Sequence, residues 1–167
     1  MKGPLDRFRL WRRGKGFGIH SPWAYAVVME ALRQPREAAY YCYPSIDRCF
    51  GRCAPLARAV FRLLQLLRPR QVSVVGDAMW TALAVTAGAE GHGGKAAIVN
   101  IPARFEGWGS NEVLIFTCLD TPQGMDAWQR ALNSAVCSAV QTTGALGVAS
   151  RRHGLPRQLI EVSVSGL

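Results

Sequence analysis

QVSVVGDAMWTALAVTAG, residues 71–88, is the stretch on which the fold reading turns. Its first five residues alternate valine with polar side chains and lie between Pro69 and Gly76, which reads as a short buried strand. From residue 79 the period changes, and residues 79–88 read as a helix stopped by Gly88. Working outward, AAIVNI (96–101) and EVLIFTCL (112–119) read as further strands, and Pro122 opens a helix, QGMDAWQRALNSA. VCSAVQT (136–142) and LGVAS (146–150) read as strands, RRHG (151–154) as a turn, and QLIEVSVSGL (158–167) as a closing alternating strand.

Upstream of residue 71 the chain is helical. Ser21 is a good N-cap and Pro22 suits the first helical position, so a helix is predicted from there to about Leu32, ending near Pro35. APLARAVFRLLQLLR (54–68) places Leu56, Val60, Leu63, Leu64 and Leu67 on one apolar stripe, with Arg58, Arg62 and Arg68 opposite and Pro69 as the stop. Residues 1–20 read as a basic, glycine-punctuated arm that docks Phe8, Leu10, Trp11 and Phe17 on the body while its arginines stay wet. The organisation is thus an arm (1–20) and one domain (21–167), helical over 21–70 and sheet-based over 71–167. Strands alternating with helices predict an α/β fold with a mostly parallel sheet covered on both faces, closed by a C-terminal antiparallel hairpin.

A chain of 167 residues, 49% hydrophobic and 19% charged, is ordinary for one globular domain that needs neither disulfide nor metal to hold its core. No apolar run reaches the ~20 residues that span a bilayer. The basic start lacks the apolar segment and cleavage site of a secretory signal, which leaves the cytoplasm as the expected location. Five cysteines cannot all pair within the chain; Cys118 and Cys137 read as core residues, and Cys42, Cys49 and Cys53 match no common zinc spacing, so no metal is expected.

The charge is lopsided. Residues 1–70 hold 14 of the 20 Lys and Arg and four of the 11 Asp and Glu, a net +10, whereas residues 71–167 hold six and seven, a net −1. This asymmetry points to an acidic partner, whether nucleic acid, an anionic membrane surface or a phosphorylated molecule; a solvated basic face is the plain alternative. Arg7, Arg9, Arg12, Arg13 and Lys15 are the candidate polyanion-binding residues, with aromatics interspersed as in tails that bind RNA.

The stretch GFGIHSPW, Gly16 to Trp23, resembles bacterial class I S-adenosylmethionine-dependent methyltransferase-like proteins that begin with a basic arm and a Gly-x-Gly-[Ile/Val]-His-Ser-Pro-aromatic motif. YYCY (40–43) and the arginine helix that leads to the first strand follow the same pattern. TPQGMDAWQRAL (121–132) resembles the family's Ser-x-x-Met-x-x-Ala-Trp helix after its fifth strand, and residues 142–164 resemble its closing antiparallel pair. The resemblance implies a Rossmann-like sheet, S-adenosylmethionine as cofactor, transfer of a methyl group to an acceptor of unknown identity, and a cofactor loop here formed by Gly76, Asp77 and Ala78, with Asn100 at the end of the second strand.

The departures from the pattern bear on activity. The family's Glu-Leu-Gly-x-Ser-x-Gly loop has Val74 at its carboxylate and Trp80 at its second glycine, where an indole fills the space for the cofactor. Asp77 is a partial substitute for the lost carboxylate. Asn100 stands where an acidic residue grips the ribose, without a carboxylate's charge-assisted bonds. FTCLDTP offers only Asp120 where the family has an Asp-Asp pair. Only residues 102–111 separate the second strand from EVLIFTCL, where the family has two more strands and helices; if the latter is the fifth strand, the third and fourth are missing and the first and fifth pair directly.

The remaining features are weaker. His20 reads as a structural residue before the Ser21 cap, with a catalytic base as the alternative; His92 lies in a glycine-rich connector and His153 in a turn. Trp80 and Trp108 flank the expected cleft as possible stacking partners of a base. Three functions follow: a methyltransferase-like protein of weak or lost activity, a non-catalytic module whose arginine-rich start contacts nucleic acid or another polyanion, and a subunit that self-associates through an exposed sheet edge.

Overall fold

The computed structural model describes residues 3–16, 18–33, 40–88 and 91–164. The elements follow as α1 (Pro4–Gly14), α2 (Pro22–Ala26), a π-helical turn (Val27–Leu32), α3 (Tyr43–Phe50), α4 (Ala54–Leu67), β1 (Pro69–Val75), α5 (Ala78–Thr86), β2 (Gly93–Val99), β3 (Val113–Phe116), α6 (Pro122–Ser134), β4 (Ser138–Thr142), β5 (Gly147–Ser150) and β6 (Gln158–Val162). The six strands form one sheet in the order β1-β2-β3-β5-β4-β6. β1, β2 and β3 are parallel neighbours, β5 runs antiparallel to both β3 and β4, and β6 is parallel to β4. Five strands therefore run one way and β5 alone the other.

Alternation along the strands builds two cores, because successive side chains leave opposite faces of a sheet. Ala96, Ile98, Val113, Ile115, Val140 and Val148 pack on one face beneath α2, the π-turn, α4 and α5. Ala97, Val99, Leu114, Phe116, Ala139 and Ala149 pack on the other against Ala127, Trp128 and Ala131 of α6. The expected α/β architecture, mostly parallel and covered on both faces, is present.

Four expectations change. β1, expected as a buried strand, is an edge strand with β2 alone beside it among the described residues, and Arg70, Gln71 and Ser73 are exposed. β2 lies between β1 and β3, so the strands read as first and fifth do not pair with each other. The closing hairpin is made by β4 and β5, not by β5 and the last strand: β3 occupies the other edge of β5, so β6 docks in parallel on β4 instead. Finally, residues 4–14 form a helix where an arm was expected. Asp6 in its first turn and Arg12 and Arg13 in its last complement the helix dipole, and the Asp6 carboxylate accepts from the Gly3 N–H at 3.3 Å. Of the four side chains expected to dock, Leu10 is buried, Phe8 and Trp11 are exposed, and Phe17 lies outside the described residues.

Ser21 caps α2 as expected, its hydroxyl accepting from the Ala24 N–H at 3.3 Å. The helix then widens, and the Arg33 N–H reaches back to the Val28 carbonyl at 2.8 Å. Arg62 departs from the stripe reading: it is buried, and its guanidinium donates to the carbonyls of Ala31 (2.6 Å) and Leu32 (3.4 Å) and to the Tyr43 hydroxyl (2.9 Å). The carbonyl end of the π-turn is the negative end of a helix dipole, which compensates the cation. Arg58 pairs in bidentate fashion with Asp47, joining α3 to α4.

Candidate functional site

The loop residues predicted to hold the cofactor meet at one place, the carboxyl ends of β1, β2 and β3. The Asn100 and Ile101 N–H groups both donate to the Val75 carbonyl, at 2.9 and 3.0 Å, and the Thr117 N–H donates to Val99 at 3.0 Å, which stitches the three strand ends together. The Asn100 amide is oriented by its neighbours. Because the Asp77 carboxylate can only accept and the Trp80 indole N–H can only donate, the amide is assigned with its Nδ2 donating to Asp77 Oδ2 at 3.1 Å and its Oδ1 accepting from Trp80 Nε1 at 3.2 Å, 3.3 Å from Thr117 Oγ1. Asp77 thus spends its carboxylate on Asn100 and does not cap α5, at whose N-terminus it sits with extended backbone. Ala78 opens the helix, exposed.

Trp80 turns inward. It is 3% exposed, packs edge-on against Phe50 at a centroid distance of 4.9 Å, and belongs to the main core. The glycine beside it serves the same packing. A Cβ on Gly76 would stand 2.7 Å from the Cβ of Asn100, far inside van der Waals contact, so glycine lets the two strand ends close on each other.

The residues present do not fit S-adenosylmethionine as they stand. The backbone approach that a cofactor would need at Gly76 is taken by Asn100. The amide that would reach a ribose is engaged with Asp77 and Trp80. The topology agrees: in open α/β sheets ligands sit where the strand order reverses, and here β1, β2 and β3 follow one another from the edge without reversal. Trp108 is likewise structural. It is buried, its Nε1 donates to the Ala131 carbonyl at 2.9 Å, and Arg151 lies over its ring at 5.3 Å.

Cys118, beside this edge, has its thiol pushed up to about 11, chiefly by burial and further by nearby Asp120, against the opposing Thr117 backbone hydrogen bond. Such a thiol stays protonated at neutral pH and is a poor nucleophile. His20, His92 and His153 are exposed, and the connector holding His92 is tied down by the N–H groups of Gly91 and Gly93, which donate to the carbonyls of Pro69 and Arg68. Among the described residues no group of three His, Cys, Asp or Glu side chains converges as a metal site.

The second group of predicted residues lies near the start of the chain. Arg7, Arg9, Arg12, Arg13 and Lys15 are all exposed and all on α1 or its C-cap. The helix is anchored to β6 by buried Leu10, whose carbonyl accepts from the Ser163 N–H at 3.1 Å. Sequence reasoning expected Phe8 and Trp11 to dock on the body and did not single out Leu5; all three are exposed beside the cations. Leu5 is 76%, Phe8 53% and Trp11 49% exposed, and Phe8 stacks on Trp11 at 5.8 Å. Their spacing of three was the available signal, because it puts them on one side of a helix.

No family model matches the chain, and neither a curated protein nor a solved structure does. No helix among the described residues is long and apolar enough to cross a membrane.

Proposed function

We propose that this protein is a non-catalytic binding module that holds a polyanionic surface through α1. The observation that carries the proposal is the ordered placement of five exposed cations on one anchored helix and its C-cap, with buried Leu10 fixing the helix against the body. A flexible basic tail would lose conformational entropy on ordering at a partner; here the helix is already formed and docked on β6. Phosphate contacts made this way weaken steeply with salt, with a log–log slope near −0.9 per contact on duplex DNA. Binding of a polyanion such as heparin or RNA should therefore fall with salt and fall again when Arg7, Arg9 and Arg12 are changed to Gln. A flat salt response, or binding indifferent to those changes, would refute the reading.

A second reading keeps the methyltransferase. Its support is the meeting of Gly76, Asp77, Ala78 and Asn100 at one strand edge, on an α/β sheet in which β1, β2 and β3 are parallel neighbours. On that reading the scaffold is a shortened class I methyltransferase-like sheet in which β1 has become an edge. Calorimetric titration with S-adenosylhomocysteine separates the two: heat at micromolar ligand supports the enzyme, and silence from both the wild type and Trp80→Gly supports the binding module.

A further inference from the structure

We infer that the polyanion held by α1 is the surface of an anionic lipid bilayer, with Leu5, Phe8 and Trp11 entering the headgroup boundary. The inference rests on the polyanion reading and gives its partner a chemistry.

The geometry of the helix carries it. At 3.6 residues per turn, Leu5, Phe8 and Trp11 fall on the side opposite Leu10, which is buried against the body. The apolar strip is flanked by Arg7 on one side and Arg9 on the other. The Lys15 ammonium lies 4.1 Å from the centroid of the Trp11 ring and the Arg12 guanidinium 6.0 Å from that of Phe8, so each charge sits over an aromatic face and leaves the ring edges and Leu5 uncovered. A short helix that exposes Leu, Phe and Trp on one face, with Arg7 and Arg9 at its flanks and Arg12 and Lys15 among them, can lie in a bilayer interface and is drawn there by anionic headgroups.

The same details argue against the other occupants. Single-stranded nucleic acid held by stacking needs open aromatic faces. Here Phe8 and Trp11 stack on each other with an interplanar angle of 25°, Arg12 and Lys15 lie over these rings, and Leu5 has no π face. A second copy of the chain would set one cationic face against another. Charge complementarity selects an anionic partner, and the aliphatic and aromatic edges select one that is also apolar just beneath its charge. The helix is 11 residues long, about 16 Å, so it lies along the surface and holds it reversibly.

The test is flotation of the full chain with vesicles of phosphatidylcholine alone and of phosphatidylcholine mixed with phosphatidylserine, beside binding of single-stranded RNA. The wild type should float with the mixed vesicles only. Phe8→Ser/Trp11→Ser should weaken this by about tenfold or more, while its melting temperature stays unchanged because both side chains are exposed. Quenching by brominated acyl chains, read as wild type minus Trp11→Phe, should place Trp11 in the boundary and does not depend on the fold of the double variant. RNA binding without flotation would overturn the lipid inference and leave the polyanion reading standing. Flotation that is indifferent to the double substitution and shows no Trp11 quenching would overturn the insertion. Binding to neither vesicles nor RNA would overturn both readings.

Discussion

The indole N–H of Trp80 donates to the side-chain oxygen of Asn100 across 3.2 Å, tying the first turn of α5 to the end of β2. Where a cofactor loop would leave a cradle, these two residues close the strand edge with a buried ring and a satisfied amide. The tryptophan and the asparagine are thus complementary to each other.

Trp80→Phe should keep the edge-on contact with Phe50 but leave the Asn100 oxygen without that donor, at a cost of about 1 kcal/mol. Trp80→Ala should cost about 3–5 kcal/mol, because it also opens a cavity in the main core. Urea denaturation of the two variants checks this, and equal costs would show that the hydrogen bond and not the ring carries the stability.

Arg62 is a buried cation held by two carbonyls and a phenol. Arg62→Met should destabilise by about 3 kcal/mol, since it strands the Ala31 and Leu32 carbonyls away from water. Arg62→Lys should recover only part of this, because an ammonium cannot reproduce the planar fork that reaches three acceptors. Tyr43→Phe should cost about 1 kcal/mol. Thermal denaturation of the series gives the order directly, and a neutral Arg62→Met would remove the guanidinium as the tie between α4 and the π-turn.

Stability should decline with alkaline pH through Cys118. Burial raises its thiol from 9.0 to about 11, so the folded state holds the proton more tightly than the unfolded state. The contribution is full below pH 9 and is lost as pH rises toward 11. Cys42 and Cys137, also raised chiefly by burial, act in the same direction. Cys118→Ala should flatten the decline between these limits in chemical denaturation followed against pH. Alkylation at pH 8 should reach the exposed Cys49 and Cys53 well before Cys118.

Much of this protein is legible in its amino-acid order, because the relevant physics is local. Pro22 behind Ser21, the leucine spacing of residues 56–67 and the alternation around Val72 and Val74 each constrain the backbone within a few residues, and the helices and strands they predict are present. The short helix over Tyr43–Phe50 escaped notice because its two buried residues, Tyr43 and Ile46, make too brief a period to register. The helix of residues 4–14 escaped because glycines on either side read as punctuation of an arm.

The residues of both candidate sites were also nameable from sequence, since Gly76, Asp77, Ala78, Asn100 and the five cations lie in recognisable short stretches. What they do to one another was not. That β2 stands between β1 and β3, that β6 joins β4 and not β5, and that Asn100 meets Trp80 all depend on pairings between distant segments, which are settled by how separate sets of helices cover the two faces of one sheet. The sequence by itself determined most of the elements, the charge imbalance and the chemistry at hand. Only the tertiary structure decided that the strand edge is closed by its own side chains and that Leu10, alone among the apolar residues Leu5, Phe8, Leu10 and Trp11, is buried, because burial follows from which side of a helix meets the sheet, and that is fixed by contacts far away along the chain.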